Sequence, residues 1–96
     1  MMRHILLLRF STVSTEEQIA DMFSHFVALQ FSIDGIQSID FGANSNPEGL
    51  HKQFTHAVVV TFSSQKARDL YLPHPAHKSF EKILLPLLSD LIVIDI

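Results

Sequence analysis

The 96-residue chain contains no cysteine. That one absence removes a disulfide framework, a thiolate nucleophile and a thiolate metal site together, and it fits a reducing, cytoplasmic setting. Positive charge is sparse as well, with seven Lys and Arg against ten Asp and Glu. Those seven are scattered, so there is no basic patch to grip a phosphate backbone, and nucleic acid is not an expected partner. Long apolar runs are also missing. Ile5–Leu8, closed by Arg9, is too short for a signal-peptide core or a membrane span, so no membrane is expected either. No H-x-x-x-H pair falls on a regular helix, and "NSNPEG" offers a single carboxylate, so neither a metal nor another cofactor is expected.

What the chain does have is hydrophobic surface. Of its residues 47% are hydrophobic and only 18% charged. Residues 1–96 fit one domain, and a domain this small has limited room for a core. The excess must line a ligand cavity or pack against another chain, and both are expected.

Two segments echo each other, "HILLLRFSTVS" (His4–Ser14) and "HAVVVTFSSQK" (His56–Lys66). Each reads as a strand running into a helix start. After the first, Ser14 with Glu17 has the pattern of a capping box. Ile19, Met22, Phe23, Phe26 and Val27 then follow the spacing of an amphipathic helix from about Thr15 to Gln30. "GIQSIDFG" (Gly35–Gly42) reads as a strand and Ala43–Lys52 as a polar loop. After the second segment, Ser64 caps a short helix with Ala67, Leu70 and Tyr71 on one face. A new helix begins at Pro75, its stripe marked by His77, Phe80, Ile83, Leu84, Leu87 and Leu88. Asp90–Ile96 closes the chain as a strand.

The order βαββαβ predicts an α+β, ferredoxin-like fold: a four-stranded antiparallel sheet, order 4-1-3-2, with helices on one face. Alternation puts His4, Leu6, Leu8 and Phe10 of the first strand on one side and Ile5 and Leu7 on the other. In the third strand His56, Val58, Val60 and Phe62 oppose Ala57 and Val59; in the fourth, Ile92 and Ile94 oppose Leu91 and Val93. Both sheet faces are apolar, yet helices cover only one. A homodimer packed through the open face supplies the missing cover.

"DLYLPHPAHKSF" (Asp69–Phe80) carries two prolines, two histidines and the only tyrosine. The prolines end one helix and start another, and the turn can bring Tyr71 and His77 onto one wall of a cavity. His77 falls on the buried stripe with Phe80 and Leu84. Two roles are open to it: a general base near neutral pH, or a core histidine satisfied by a carbonyl. Tyr71 would donate a hydrogen bond to a ketone or enolate, or serve as an amphipathic wall residue. His74, between the prolines, is expected to cap the next helix or face solvent. With full overlap of the strands, His4 falls opposite about Val60. It then lies far from His56 and near the short helix, as a companion to Tyr71.

Together with "MRHILLLRF", "PEGLHKQFTHAVVVTF" and "LLSDLIVIDI", this stretch resembles the stress-responsive α/β-barrel domain family, the dimeric α+β barrels. The resemblance runs from Met2 to Ile96 and implies homodimers whose sheets pack face to face. It also implies a pocket between sheet and helices for a small apolar ligand, drawing on His4, His56, Leu6, Val58, Phe23, Phe26 and Phe80. A plant branch of the family closes linear poly-β-keto thioesters by aldol condensation, and its catalytic tyrosine and histidine match Tyr71 and His77. The chain departs from that branch at Phe26, where the cyclases carry tyrosine, and at Leu88, where they carry tryptophan. A pocket built this way is greasier, with one hydroxyl fewer. The readings that follow are a ligand-binding or stress-tolerance dimer, a cofactor-free cyclase-like enzyme, and a cofactor-free oxygenase.

Overall fold

A computed structural model describes residues 1–96, and its elements alternate as the two echoing segments require. Strand β1 (Met2–Phe10) leads to α1 (Glu16–Ser32), then β2 (Ile36–Ala43) and β3 (His56–Phe62). Helices α2 (Gln65–Tyr71) and α3 (Pro75–Leu84) follow, then a 3-10 turn (Leu85–Leu87) and β4 (Leu88–Asp95). The sheet order is β2-β3-β1-β4, and every pairing is antiparallel. This is the 4-1-3-2 ferredoxin-like sheet, with β1 and β3 at its centre.

Helix α1 starts one residue later than the Ser14/Glu17 pattern suggests. Thr15 is the N-cap, and it exchanges hydrogen bonds with Gln18 in a complete capping box. Ser14 is engaged elsewhere: its hydroxyl bonds Ser11 Oγ and donates to the Leu87 carbonyl, both at 2.9 Å. That link ties the β1–α1 turn to the 3-10 turn that follows α3. At the other end of α1, Gly35 has φ +91°, and a Cβ there would lie 2.6 Å from the Cβ of Ala67. Only glycine lets the turn into β2 pass this close to α2.

The second and third helices correct two expectations. Leu70 is 61% exposed, because the buried face of α2 is Ala67 and Tyr71, one turn apart. Helix α3 ends at Leu84, since Pro86 in the next turn cannot continue it, and Leu88 opens β4 instead of extending the stripe. Pro75 occupies the first turn of α3, and His74 caps it by accepting from the Ala76 amide at 3.0 Å.

The core lies between sheet and helices, built from Leu6, Leu8, Val58, Val60 and Phe62 against Met22, Phe23, Phe26, Tyr71 and Phe80. The opposite face has no helices. There Ile5, Leu7, Ala57 and Val59 are half-buried, while Ile92 and Ile94 on the edge strand are exposed. No helix is long and apolar enough to cross a membrane.

Candidate functional site

Strand register decides which of the predicted residues can meet. His4 pairs with Val60 and His56 with Leu8, so the two histidines stand four residues apart along β3, about 13 Å. Leu6 and Val58 pair between them and are buried. Phe26 and Phe80 pack over the core with centroids 4.5 Å apart. The seven residues expected to line one pocket therefore divide. His4 lies at one end with Tyr71 and His77, His56 lies at the other with Phe23, and Leu6, Val58, Phe26 and Phe80 are core.

At the first end, four rings meet. The His4 ring sits edge-on to Tyr71 at 5.9 Å, and Tyr71 packs on Phe62 at 5.0 Å. The His77 ring lies 4.2 Å from Tyr71, tilted by 34°. The proline break creates this contact, since it places the last residue of α2 against the first turn of α3. The His77 Nδ1–H donates to the Leu72 carbonyl at 2.9 Å, and a carbonyl can only accept. Nε2 therefore keeps its lone pair. Burial pulls the His77 pKa below its ordinary value, against the hydrogen bond to Leu72, so the ring is neutral at pH 7. Burial, with the charge of Glu81, pushes the Tyr71 phenol well above its ordinary value, so it stays a donor. Its hydroxyl takes part in none of the hydrogen bonds that hold this cluster.

Two residues that sequence reasoning missed anchor His4. Its Nδ1–H donates to Asp95 Oδ1 at 2.7 Å, and Arg68 of α2 binds the other carboxylate oxygen. Arg68 also reaches Asp69 at 2.9 Å. Burial would raise the Asp95 pKa, but the hydrogen bonds from Arg68 and His4 outweigh it and hold the carboxyl below its usual range. The signal was in the alternation of β4, which puts Asp95 on the side of Leu91 and Val93, directly opposite His4.

At the second end a groove of about 800 Å³ runs between α1 and the end of β2. Ile19, Phe23 and Val27 form one side, Phe41 and Gly42 the other, and His56 closes the inner end. Phe41 stacks on Phe23, centroids 4.3 Å apart and rings nearly parallel at 8°. His56 lies edge-on to Phe10 at 5.1 Å, and its Nδ1 hydrogen-bonds the Thr55 hydroxyl at 2.9 Å. Burial lowers its pKa too. Phe41 was also legible by parity, since it shares the helix side of β2 with Ile39. No three His, Cys, Asp or Glu side chains gather to hold a metal ion anywhere in the fold.

A ferredoxin-like sheet with one bare apolar face, a histidine at each end of its inner row and an apolar groove defines a small α+β barrel half. The chain belongs to the stress-responsive A/B barrel domain family, whose profile it matches over residues 2–96. It is 32% identical to the stress-response A/B barrel domain-containing protein HS1 of Arabidopsis thaliana, over 97% of this chain and 85% of that protein. It is 28% identical to the olivetolic acid cyclase of Cannabis sativa, over 97% of this chain and 92% of the cyclase. A crystal structure of an Arabidopsis thaliana protein, 31% identical, superposes with a TM-score of 0.96 over 100% of this chain and 93% of its own. The hydroxynitrile lyase of Passiflora edulis shares the fold, with a TM-score of 0.93 at 24% identity over 99% of this chain and 90% of the lyase.

The two lowered histidine pKa values and the lowered Asp95 value fix the sign of the acid response. A folded state that holds His77 and His56 neutral loses their contribution as pH falls below 6.5, where the unfolded chain takes up those protons. Asp95 contributes fully above 3.8, and that contribution fades as pH drops towards its lower folded value. The melting temperature should therefore fall in two steps on acidification, and Asp95→Asn should remove the lower one. Scanning calorimetry from neutral to acid pH reads both.

Proposed function

We propose that residues 1–96 act as one unit, a cytoplasmic homodimer that binds a small hydrophobic ligand in the groove between α1 and β2. The groove itself carries this reading. It is large enough for a drug-sized molecule, its walls are aliphatic and aromatic, and His56 offers one polar group at the inner end. The absence of cysteine accords with a cytoplasmic setting. Ala20 lines the groove yet is exposed and outside the core. Ala20→Trp should fill the groove, weaken binding of the fluorescent probe anilinonaphthalene sulfonate by about tenfold or more, and leave the melting temperature unchanged. Unaltered probe affinity would sink this placement of the ligand.

The homodimer forms through the open sheet face. Relatives described as dimeric ferredoxin-like proteins, from Thermobifida fusca and Jannaschia, share the fold with TM-scores of 0.83 and 0.87. Burying Ile5, Leu7, Ala57, Val59, Ile92 and Ile94 against a second copy returns about 25 cal/mol for each Å². Val59 is central in that row, so Val59→Asp should give monomers or unfolded protein in sedimentation analysis. A stable, fully dimeric variant would exclude this face.

A second reading is cofactor-free catalysis resembling that of the cyclase, with His77 as general base and Tyr71 as hydrogen-bond donor to the substrate oxygen. The Tyr71–His77 contact favours it: a neutral ring whose Nδ1 is committed stands against a phenol held in its donor form. His77→Ala should cost about 10² to 10⁴ in rate and Tyr71→Phe about 10² to 10³, the double variant being little worse than the worse single one. Mass spectrometry of products from a linear tri- or tetraketide thioester makes the measurement. Wild-type protein that forms no product leaves His77 a core histidine.

A further inference from the structure

Apart from its charge acting on the Tyr71 phenol, Glu81 has no part in the roles above, yet it lies one turn beyond His77 on α3. Its Oε1 stands 3.4 Å from His77 Nδ1 and 3.3 Å from the Lys78 ammonium. That oxygen is shut off from solvent and accepts no hydrogen bond. A buried acceptor left unpaired is costly, and its position beside an imidazole N–H is where an extra proton on the ring would be felt. The other carboxylate near the ring cluster, Asp95, is engaged by His4 and Arg68. It is therefore not free to serve His77.

We propose that Glu81 is the positioning partner of His77, standing beside the Nδ1–H that the Leu72 carbonyl accepts and stabilising the ring when Nε2 takes a proton. As a positioning role in catalysis, this rests on the reading of His77 as a base. In the neutral state the Nδ1–H donates to Leu72 with Glu81 Oε1 3.4 Å away, so Nε2 holds the lone pair. On proton uptake at Nε2 the ring becomes a cation beside a carboxylate that already faces it. Nδ1 keeps its hydrogen throughout. The surroundings pull in both directions. Lys78 on the same helix opposes a charge on His77, as does His4 of β1, which has Asp95 of β4 and Arg68 of α2 behind it. Tyr71 of α2 contributes a ring face and no charge. Glu81 is the carboxylate that favours the protonated ring.

Titration of the His77 imidazole by NMR tests this without any turnover. Glu81→Gln keeps the shape and removes the charge, so the His77 pKa should fall, and Glu81→Asp should restore part of the difference. Lys78→Met should move it the other way, and Glu81→Asp, which draws the carboxylate back from the ring, should lower the pKa by less and serves if Glu81→Gln does not fold. Where product is formed, Glu81→Gln should lower kcat/KM about tenfold and shift the acid limb of its pH profile to lower pH. An unchanged His77 titration in Glu81→Gln, or in Glu81→Asp should the first not fold, overturns the proposal and leaves Glu81 a helix-surface ion pair. If wild-type protein turns nothing over while the titrations shift as stated, the pairing stands and the base reading falls.

Discussion

Most of the ring cluster depends on how the chain pairs its backbone groups across the break between Tyr71 and Pro75, where the His74 amide still donates to the Tyr71 carbonyl. In an unbroken helix the Leu72 carbonyl would accept from the amide of Ala76, four residues on. The prolines forbid that path, and two histidines stand in for it. The His77 ring donates to the Leu72 carbonyl, while the Ala76 amide donates to the His74 ring. Both polar groups at the break are thereby paired within the protein. The side effect is geometric. Because His77 must reach back to Leu72, its ring lies against Tyr71, and a local repair becomes an inter-helix contact.

The sheet then sets distances that no side-chain adjustment can change. Antiparallel pairing of β1 with β3 sends the two strand histidines to opposite ends of the inner row. One end gathers charge, with Asp95 and Arg68 holding His4, and the rings pack closed around it. The other end gathers aromatics and opens into the groove. Family membership speaks for the common frame, and the same frame carries a cyclase and a lyase among its relatives. A shared frame does not by itself fix the chemistry it hosts, so function has to be argued from the groups at each end of the row.

The fold was readable because period-two alternation and two matched βαβ halves leave few topologies. Even the offset of His4 against Val60 followed from overlap alone. The places where the reading slipped share a cause, competition between nearby groups of similar chemistry. Ser14 and Thr15 are both good caps, and only the contact of Ser14 with Leu87 decides between them. Leu70 has an apolar side chain but sits at the wrong angle on a two-turn helix. The candidate site was half legible. Tyr71, His77 and His4 came together as their positions implied, whereas His56 and Phe23 belong to a groove whose other wall, Phe41, lies on a strand read only for its length. Arg68 was invisible because its partner Asp95 lies 27 residues away, which leaves no local pattern, while Asp95 itself was marked only by strand parity.

The pairing of β1 carries a consequence for biosynthesis. This central strand has no neighbour close to it in sequence: β3 follows after α1 and β2, and the His4–Asp95 contact joins residues 91 apart. A chain emerging from the ribosome therefore holds two apolar rows of β1 with no strand to pair with until β3 and then β4 appear. Loop-closure entropy weighs against such distant partners, so the sheet forms late and as a whole. During that interval α1, with its own cap and apolar stripe, is the one cover within reach of β1. The capping box at Thr15 and Gln18 thus matters before the fold exists, as a means of keeping a sticky strand occupied.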